Sequence, residues 1–252
     1  MRTLAVDTAT SYLSVSLFEE ARVVSTVMLQ SKRQHGETLV QVVNDCLNYL
    51  GWTAQDIDQV IVGVGPGSYT GIRIGVTMAK MWATSLKVPL KQVSSLSLMA
   101  AGVAQEAGAL IIPVIDARRQ TAYTAAYEYV KGEGDQWRVQ AVMADQQIEW
   151  QAFLEQLAEL DVQRLLLVGD KIELFAEMAR MRFEGKGIEV QWLDSHQAVP
   201  QTARVYHVEQ VEVADPNLLV PNYAQTTLAE REWAQTHQVD EVDNENYIEH
   251  YS

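Results

Sequence analysis

The sequence predicts an α/β protein built from two similar domains that face each other across a cleft, and three observations support this expectation. The order strand, strand, strand, helix, strand, helix, strand, helix occurs twice along the 252 residues. Each half opens with an apolar strand that ends in an aspartate, Asp7 in the first and Asp116 in the second. A glycine-rich turn at 65–75 separates a strand-like run from a helix-like run in the first half.

Three strands begin the first half. Residues 2–8 form a buried strand, and residues 10–18 alternate like a half-exposed one, with Leu13, Val15 and Leu17 on one face. Apolar residues then recur at the spacing of one helix face up to Leu50, and glycine follows as the expected C-cap. The other first-half elements are strands at 22–29, 57–64 and 89–93, and helices at 35–50, from the glycine-rich turn to about 86, and at 95–106.

The second half repeats this architecture but has no equivalent of the glycine-rich turn, for which Gly169-Asp170 is a weak counterpart. We expect a first domain at 1–106, a second at 107–233 and a disordered acidic tail at 234–252. The second-half strands are expected at 110–116, 121–129, 137–143, 164–168 and 189–193, and the helices at 149–160, 174–183 and 203–213.

The glycine-rich turn suits either an anion-binding site or a close packing contact. Glycine allows positive φ angles and close approach, Ser68 or Thr70 can cap the helix, and free N–H groups at a helix start attract anions. The turn matches neither the dinucleotide fingerprint nor the P-loop, and Arg73 is its one cation. Both interpretations stay open. The candidate contacts for an anion or a nucleotide such as ATP or ADP are Asp7, Thr8, Ser68, Thr70 and Gly71.

The two strand-ending aspartates admit two interpretations. At a cleft beyond the carboxyl ends of strands, Asp7 and Asp116 can orient a metal-bound phosphate or act as a base. Aspartate also ends strands because it forms local turns, and an ion pair with Arg118 or Arg119 is the simpler expectation for Asp116. The catalytic interpretation corresponds to a small ATPase or a sugar-kinase-like enzyme.

Other catalytic classes lack their residue patterns. The five histidines never fall three or four residues apart, so the sequence predicts no metal site. No G-x-S-x-G motif marks a serine hydrolase. The single cysteine, Cys46, lies among apolar helix positions as a packed thiol and fits a reducing cytoplasm. No apolar run reaches the length of a membrane span.

The net charge of −14 makes this chain a poor ligand for nucleic acid by itself. A role near RNA therefore requires a basic partner.

The helix after the glycine-rich turn is apolar around most of its circumference, which indicates either a central core helix or one covered by a partner. We favour a partner interface shared with the helix at 35–50. The predicted interface residues are Leu39, Val42, Val43, Cys46, Ile72, Val76, Ala79, Lys80 and Ala83.

The sequence resembles the TsaB (YeaZ) family from Met1 to about Trp233. The undecapeptide at 65–75 is its most specific part, and Pro221-Asn222-Tyr223 with Ala229-Glu230 is similar to the family's ending. The ending departs from the family at Ala224-Gln225, where a leucine-arginine pair is usual. This difference calls into question only a contact that the family makes at these two positions. The other matching stretches are Asp7-Thr8-Ala9-Thr10 and Ile115-Asp116-Ala117-Arg118-Arg119.

This resemblance implies an actin/hexokinase/Hsp70-like fold of the wider ribonuclease H-like type, with mixed sheets flanked by helices. It implies a non-catalytic role in forming N6-threonylcarbamoyladenosine at position 37 of tRNAs. The transferase would be a partner, TsaD, which moves the threonylcarbamoyl group from threonylcarbamoyl-AMP to the adenine N6. A TsaE-like ATPase, a homodimer of the isolated chain through its first-domain helices, and tRNA held mainly by the partner are also implied, with no cofactor required by this chain. The old glycoprotease label has no support in these residues.

Overall fold

The computed structural model describes residues 1–30, 35–103, 108–132, 136–193 and 198–224. The predicted acidic tail, the boundary at 106/107 and the residues Gln225, Ala229 and Glu230 lie outside the described residues.

Two mixed sheets form the framework, which confirms the predicted α/β class. The six-stranded sheet has the order β11-β5-β4-β1-β2-β3, and the five-stranded sheet has the order β10-β9-β6-β7-β8. In each sheet the first strand pairs antiparallel with the second and parallel with a later one, so the two halves share one pattern. The strands are β1 Arg2–Asp7, β2 Tyr12–Glu19, β3 Arg22–Gln30, β4 Gln59–Gly63, β5 Leu90–Val93, β6 Ala109–Asp116, β7 Thr121–Lys131, β8 Trp137–Glu149, β9 Arg164–Val168, β10 Glu189–Leu193 and β11 Val211–Val213.

Within the described residues, five α-helices cover the sheets, close to where periodicity predicts them. Gly51 follows the first of them at φ 67°, as expected of a C-cap glycine. Short 3₁₀ helices lie at Ala54–Asp56, Thr202–His207 and Pro216–Leu218. The α-helices are α1 His35–Leu50, α2 Tyr69–Leu86, α3 Ser95–Ala101, α4 Trp150–Ala158 and α5 Glu173–Phe183.

The predicted last helix at 203–213 is wrong. Only Thr202–His207 is helical, as a 3₁₀ turn, and Val211–Val213 pairs antiparallel with β5 in the first sheet. A free sheet edge and two β-branched residues two positions apart favour a strand there over a weak helical pattern.

The chain therefore returns to the first sheet at Val211–Val213, within the range 107–233 predicted as the second domain. The return is held by Lys80, whose Nζ donates to the carbonyl oxygens of Asn217 (2.8 Å) and Leu219 (3.0 Å). Asn222 N also donates to Val64 O at 2.8 Å.

The returning segment also corrects the prediction for β2. Its second face is not exposed, because Ser14 and Ser16 are buried beneath the 3₁₀ helix. Their hydroxyls lie 2.9 and 2.7 Å from Thr202 Oγ1. Buried hydroxyls with partners give an alternating sequence pattern on a strand that is covered on both faces.

An apolar core fills part of the space between the two domains, and a cavity of about 770 Å³ lies beside it, lined by Ser94, Tyr127 and Asp145 among others. One continuous apolar cluster joins Ile61 and Leu96 of the first domain to Ile111, Val139 and Leu166 of the second. The expected cleft is consequently closed along this core.

Eight of the nine predicted interface residues lie in the core of the first domain. The apolar faces of α1 and α2 both pack on the first sheet, in one cluster with β1, β2 and β4. A partner surface on these helices therefore has to be made by other side chains. Lys80, the ninth, is half-buried under the returning segment. The eight core residues are Leu39, Val42, Val43, Cys46, Ile72, Val76, Ala79 and Ala83, each at most 8% exposed.

Candidate functional site

The glycine-rich turn connects β4 to α2 and packs against the end of β1. A Cβ atom on Gly67 would lie 2.3 Å from Ala9 O, and one on Gly71 would lie 2.1 Å from Thr8 O. Both obstacles are backbone atoms, which cannot move aside as a flexible side chain can. The glycines are thus required for a close contact between two chain segments, which is the packing interpretation of this turn.

Several N–H groups of the turn are already used within the protein. Ser68 N donates to Ala9 O at 2.7 Å, and Gly65 N donates to Ser95 Oγ at 3.1 Å. Ser68 is the N-cap of α2, as predicted, and its Oγ accepts from Gly71 N at 3.3 Å. Thr8 Oγ1 donates to Gly71 O at 2.7 Å.

Of the five candidate anion contacts, Asp7, Thr8 and Gly71 are buried, and Ser68 and Thr70 are exposed. Ser68 and Thr70 are therefore the accessible members of this set, and the assignment of all five residues as anion or nucleotide contacts stays a prediction.

Asp7 holds the turn to its neighbours from inside the protein. Its side chain is 1% exposed, Oδ2 accepts from Ser95 Oγ at 2.6 Å, and Oδ1 accepts from Ala9 N at 2.9 Å. Because Ser95 Oγ also accepts from Gly65 N, the carboxylate links β1, the turn and the start of α3. Burial raises the pKa of Asp7 from 3.8 to about 6, against the lowering effect of both hydrogen bonds.

Asp116 has different surroundings from those of Asp7. It is exposed in the turn after β6, where Oδ1 accepts from Arg118 N at 2.7 Å. The expected ion pair with an arginine side chain is replaced by this backbone contact, as is usual for an aspartate in a tight turn.

Asp7→Asn should remove a component of the pH dependence of stability. The raised pKa means that the folded chain binds the Asp7 proton more tightly than the unfolded chain does. The stabilisation of the folded state by this proton is therefore fully present below pH 4 and is lost as the pH rises to about 6. At ~1.4 kcal/mol per pKa unit, the loss is about 3 kcal/mol.

Denaturant unfolding of both proteins at several pH values between 4 and 7 measures this component. The variant should gain stability relative to the wild type as the pH rises. A difference between the two proteins that stays constant with pH would contradict the prediction.

An exposed groove lies between α1 and α2, and we call it the helix groove. Its exposed side chains include Val40, Tyr69 and Met81, which are 42%, 51% and 53% exposed. Its volume is 460 Å³, with Arg73 and Thr77 also in its lining. Large apolar side chains this exposed on neighbouring helices mark a surface that a partner can cover.

An aromatic and cationic cluster closes one end of the helix groove. The Arg73 guanidinium carbon lies 4.3 Å from the centre of the Tyr69 ring, and Arg73 Nε donates to Tyr223 Oη at 2.9 Å. The Tyr69 and Tyr223 ring centres are 4.9 Å apart. Tyrosine and arginine are enriched among residues that dominate binding energy. Sequence analysis missed Tyr69 and Tyr223, although the spacing of Tyr69 and Arg73 places them on one helix face.

The described residues contain neither a metal-binding cluster nor a membrane-spanning helix. Across the described ranges, no three histidine, cysteine, aspartate or glutamate side chains are grouped to hold a metal ion. In the same part of the chain, no helix combines the length and hydropathy needed to cross a membrane.

The family model that matches this chain and two of its relatives carry names from tRNA threonylcarbamoyladenosine synthesis. A family model described as TsaD, tRNA N6-adenosine threonylcarbamoyltransferase, matches residues 23–228. The tRNA threonylcarbamoyladenosine biosynthesis protein TsaB of Bacillus subtilis is 35% identical over 94% of this chain and 99% of its own length. The protein of the same name from Escherichia coli is 38% identical over 54% of this chain and 58% of its own length.

Solved structures show the same fold. YeaZ from Pseudomonas aeruginosa superposes with a TM-score of 0.66 at 23% identity, covering 88% of this chain and 99% of that one. A Pseudomonas aeruginosa protein described as similar to the peptidase YeaZ gives a TM-score of 0.67 at 22% identity, covering 89% and 99%. With the two mixed sheets, this confirms the predicted two-domain α/β fold, which the chain shares with these YeaZ structures.

Proposed function

The chain belongs to the TsaB (YeaZ) family, and from this premise we propose that it acts in tRNA threonylcarbamoyladenosine biosynthesis as a non-catalytic subunit. Its partner is a TsaD-like transferase, which moves the threonylcarbamoyl group from threonylcarbamoyl-AMP to N6 of adenosine 37. This chain supports the transferase by binding it.

The main structural support for this proposal is the helix groove. It combines an apolar floor with exposed Tyr69, Met81 and Arg73. The apolar side chains supply burial, and Tyr69 and Arg73 supply a rigid, preorganised contact, because each already packs on the other. The core packing of α1 and α2 beneath the groove keeps its shape fixed before a partner arrives.

The same groove suits self-association of the isolated chain. A second copy and the transferase would then compete for one surface, so the homodimer would give way to the heterodimer. A TsaE-like ATPase joins this complex through another surface, and the partner supplies most of the tRNA contacts. The cytoplasm, where tRNA is modified, is the proposed location.

A small ATP-binding enzyme that uses Asp7 and Asp116 is not favoured by the geometry. Asp7 is enclosed by Ser95 and Ala9 N, and Asp116 lies in an exposed turn. Ser68 and Thr70 remain the accessible candidates for an anion contact.

Met81→Glu should abolish co-purification with the transferase. A carboxylate in the centre of an apolar contact is desolvated without a partner, and we expect affinity to fall about 100-fold, with a matching loss of modified tRNA in a reconstituted reaction. Affinity capture and nucleoside analysis of the tRNA measure the two effects.

Met181→Glu is the matched control, because Met181 is 72% exposed on α5 in the other domain. It should bind the transferase as the wild type does. Unchanged thermal unfolding of both variants shows that the fold is retained. Normal complex formation by Met81→Glu would contradict the proposed function.

A further inference from the structure

The turn between β6 and β7 displays two arginines in a costly backbone conformation. Arg118, Arg119 and Gln120 have φ angles of 71°, 51° and 60°, all in the left-handed region. This region costs a residue with a side chain about 1 kcal/mol or more relative to glycine. Asp116 Oδ1 accepts from Arg118 N at 2.7 Å, and Thr121 N donates to Arg118 O at 2.9 Å, which holds the turn in this shape.

Both guanidinium groups are exposed and lack a carboxylate partner among the described residues. Lys171 is also exposed and also lacks a carboxylate partner among the described residues. Elsewhere in the described residues, four arginines pair with carboxylates and Lys80 donates to backbone carbonyls. The fold thus gains no ion pair from Arg118 or Arg119. The four paired arginines are Arg2, Arg164, Arg180 and Arg182.

Strand register brings the three cations to one edge of the second sheet. β6 and β9 are parallel neighbours, with Pro113 paired to Val168, so Asp116 and Lys171 each lie three residues beyond that pair. Ser11 Oγ donates to Asp170 Oδ2 at 3.4 Å, which joins this edge to the β1–β2 loop of the first domain. We call Arg118, Arg119 and Lys171 the cationic rim. It lies where the carboxyl ends of parallel strands place ligands.

We propose that the cationic rim binds the phosphodiester backbone of the RNA substrate, an inference that rests on the proposed function. Guanidinium groups match phosphate oxygens with two parallel hydrogen bonds. Such contacts position RNA through its charge and shape and carry no base specificity. The acidic remainder of the chain repels RNA, so the rim orients the tRNA that the transferase holds.

Replacing Arg118 and Arg119 with glycine tests this inference without threatening the fold. Glycine adopts positive φ freely, so the double variant should unfold at the same or a higher temperature than the wild type. In the complex with the transferase, we expect tRNA affinity to fall at least ~10-fold and the slope of log affinity against log salt to decrease by about 2. Fluorescence anisotropy across a salt series measures both.

Lys87→Gly is the matched control, because Lys87 is exposed with a φ of 57° at the C-cap of α2. Lys87→Gly should leave the tRNA affinity of the complex and its salt slope unchanged. Wild-type affinity and salt slope in the arginine variant, or an equal loss in the control, would overturn the inference. Weaker binding to the transferase with normal tRNA binding by the complex would assign the rim to an acidic protein surface instead. Failure of the wild-type chain to bind the transferase would instead overturn the proposed function.

Discussion

Gly71→Ala should destabilise the chain by about 3 kcal/mol, although alanine is the better helix former. The new methyl group would lie 2.1 Å from Thr8 O, and this oxygen belongs to the backbone beside β1. Relief requires α2 to move away from the strand, which also breaks the hydrogen bond from Thr8 Oγ1 to Gly71 O. Overpacking of this kind costs about 1–3 kcal/mol, and the lost buried bond adds about 1 kcal/mol.

Gly36→Ala provides the matched control on α1. A Cβ atom there has its nearest neighbour, Ile74 Cδ1, at 4.0 Å, which is ordinary contact. Helix propensity alone then decides the effect, and we expect the free energy of unfolding to rise by up to ~1 kcal/mol. Denaturant unfolding should therefore show opposite signs for the same substitution at two helical glycines. Equal effects would mean that the turn does not depend on close packing against β1.

Asp145→Ala should destabilise the contact between the two domains by about 3 kcal/mol. Asp145 lies in β8 of the second domain, where Oδ1 accepts from Tyr127 Oη and Oδ2 accepts from Ser94 Oγ, both at 2.5 Å. Ser94 is the N-cap of α3 in the first domain, so one carboxylate joins the domains. Removing it leaves the buried Tyr127 hydroxyl and the half-buried Ser94 hydroxyl without this acceptor, at a cost of about 1–3 kcal/mol for a buried donor.

Asp161→Ala tests whether the loss of stability in Asp145→Ala is specific to the contact between the two domains. Asp161 is exposed in the same domain, so its loss should change stability by less than ~0.5 kcal/mol. Hydrogen exchange should also accelerate in α3 for Asp145→Ala and not for the control. Unchanged exchange in α3 would show that Asp145 does not couple the domains.

The contact between the two domains agrees with a supporting role. Tyr129 Oη donates to Ala101 O at 3.1 Å and to Val103 O at 3.0 Å, which adds a second polar link beside the shared apolar core. A chain joined in this way presents the helix groove and the cationic rim at a fixed separation. This arrangement suits a subunit that positions a partner and its RNA.

Local patterns in the sequence were sufficient for most elements. The helices at 35–50 and 69–86, and the strands at 164–168 and 189–193, depend on apolar periodicity within one segment, and the structure contains them. The glycine motif also predicted a tight turn with Ser68 or Thr70 as the helix cap, because capping involves only neighbouring residues, and the structure selects Ser68. The family could be identified from the same motif.

The sequence by itself determined the α/β class, the repeated strand and helix order, and the family. The tertiary structure alone decided which faces are covered, because burial depends on segments that are distant in the chain. The apolar faces of α1 and α2 pack on their own sheet, so the exposed surface consists of Tyr69, Arg73 and Met81 instead. Val211–Val213 became a strand because β5 offered a free edge. Asp7 was enclosed because Ser95, far along the chain, supplies its hydrogen bond in the core.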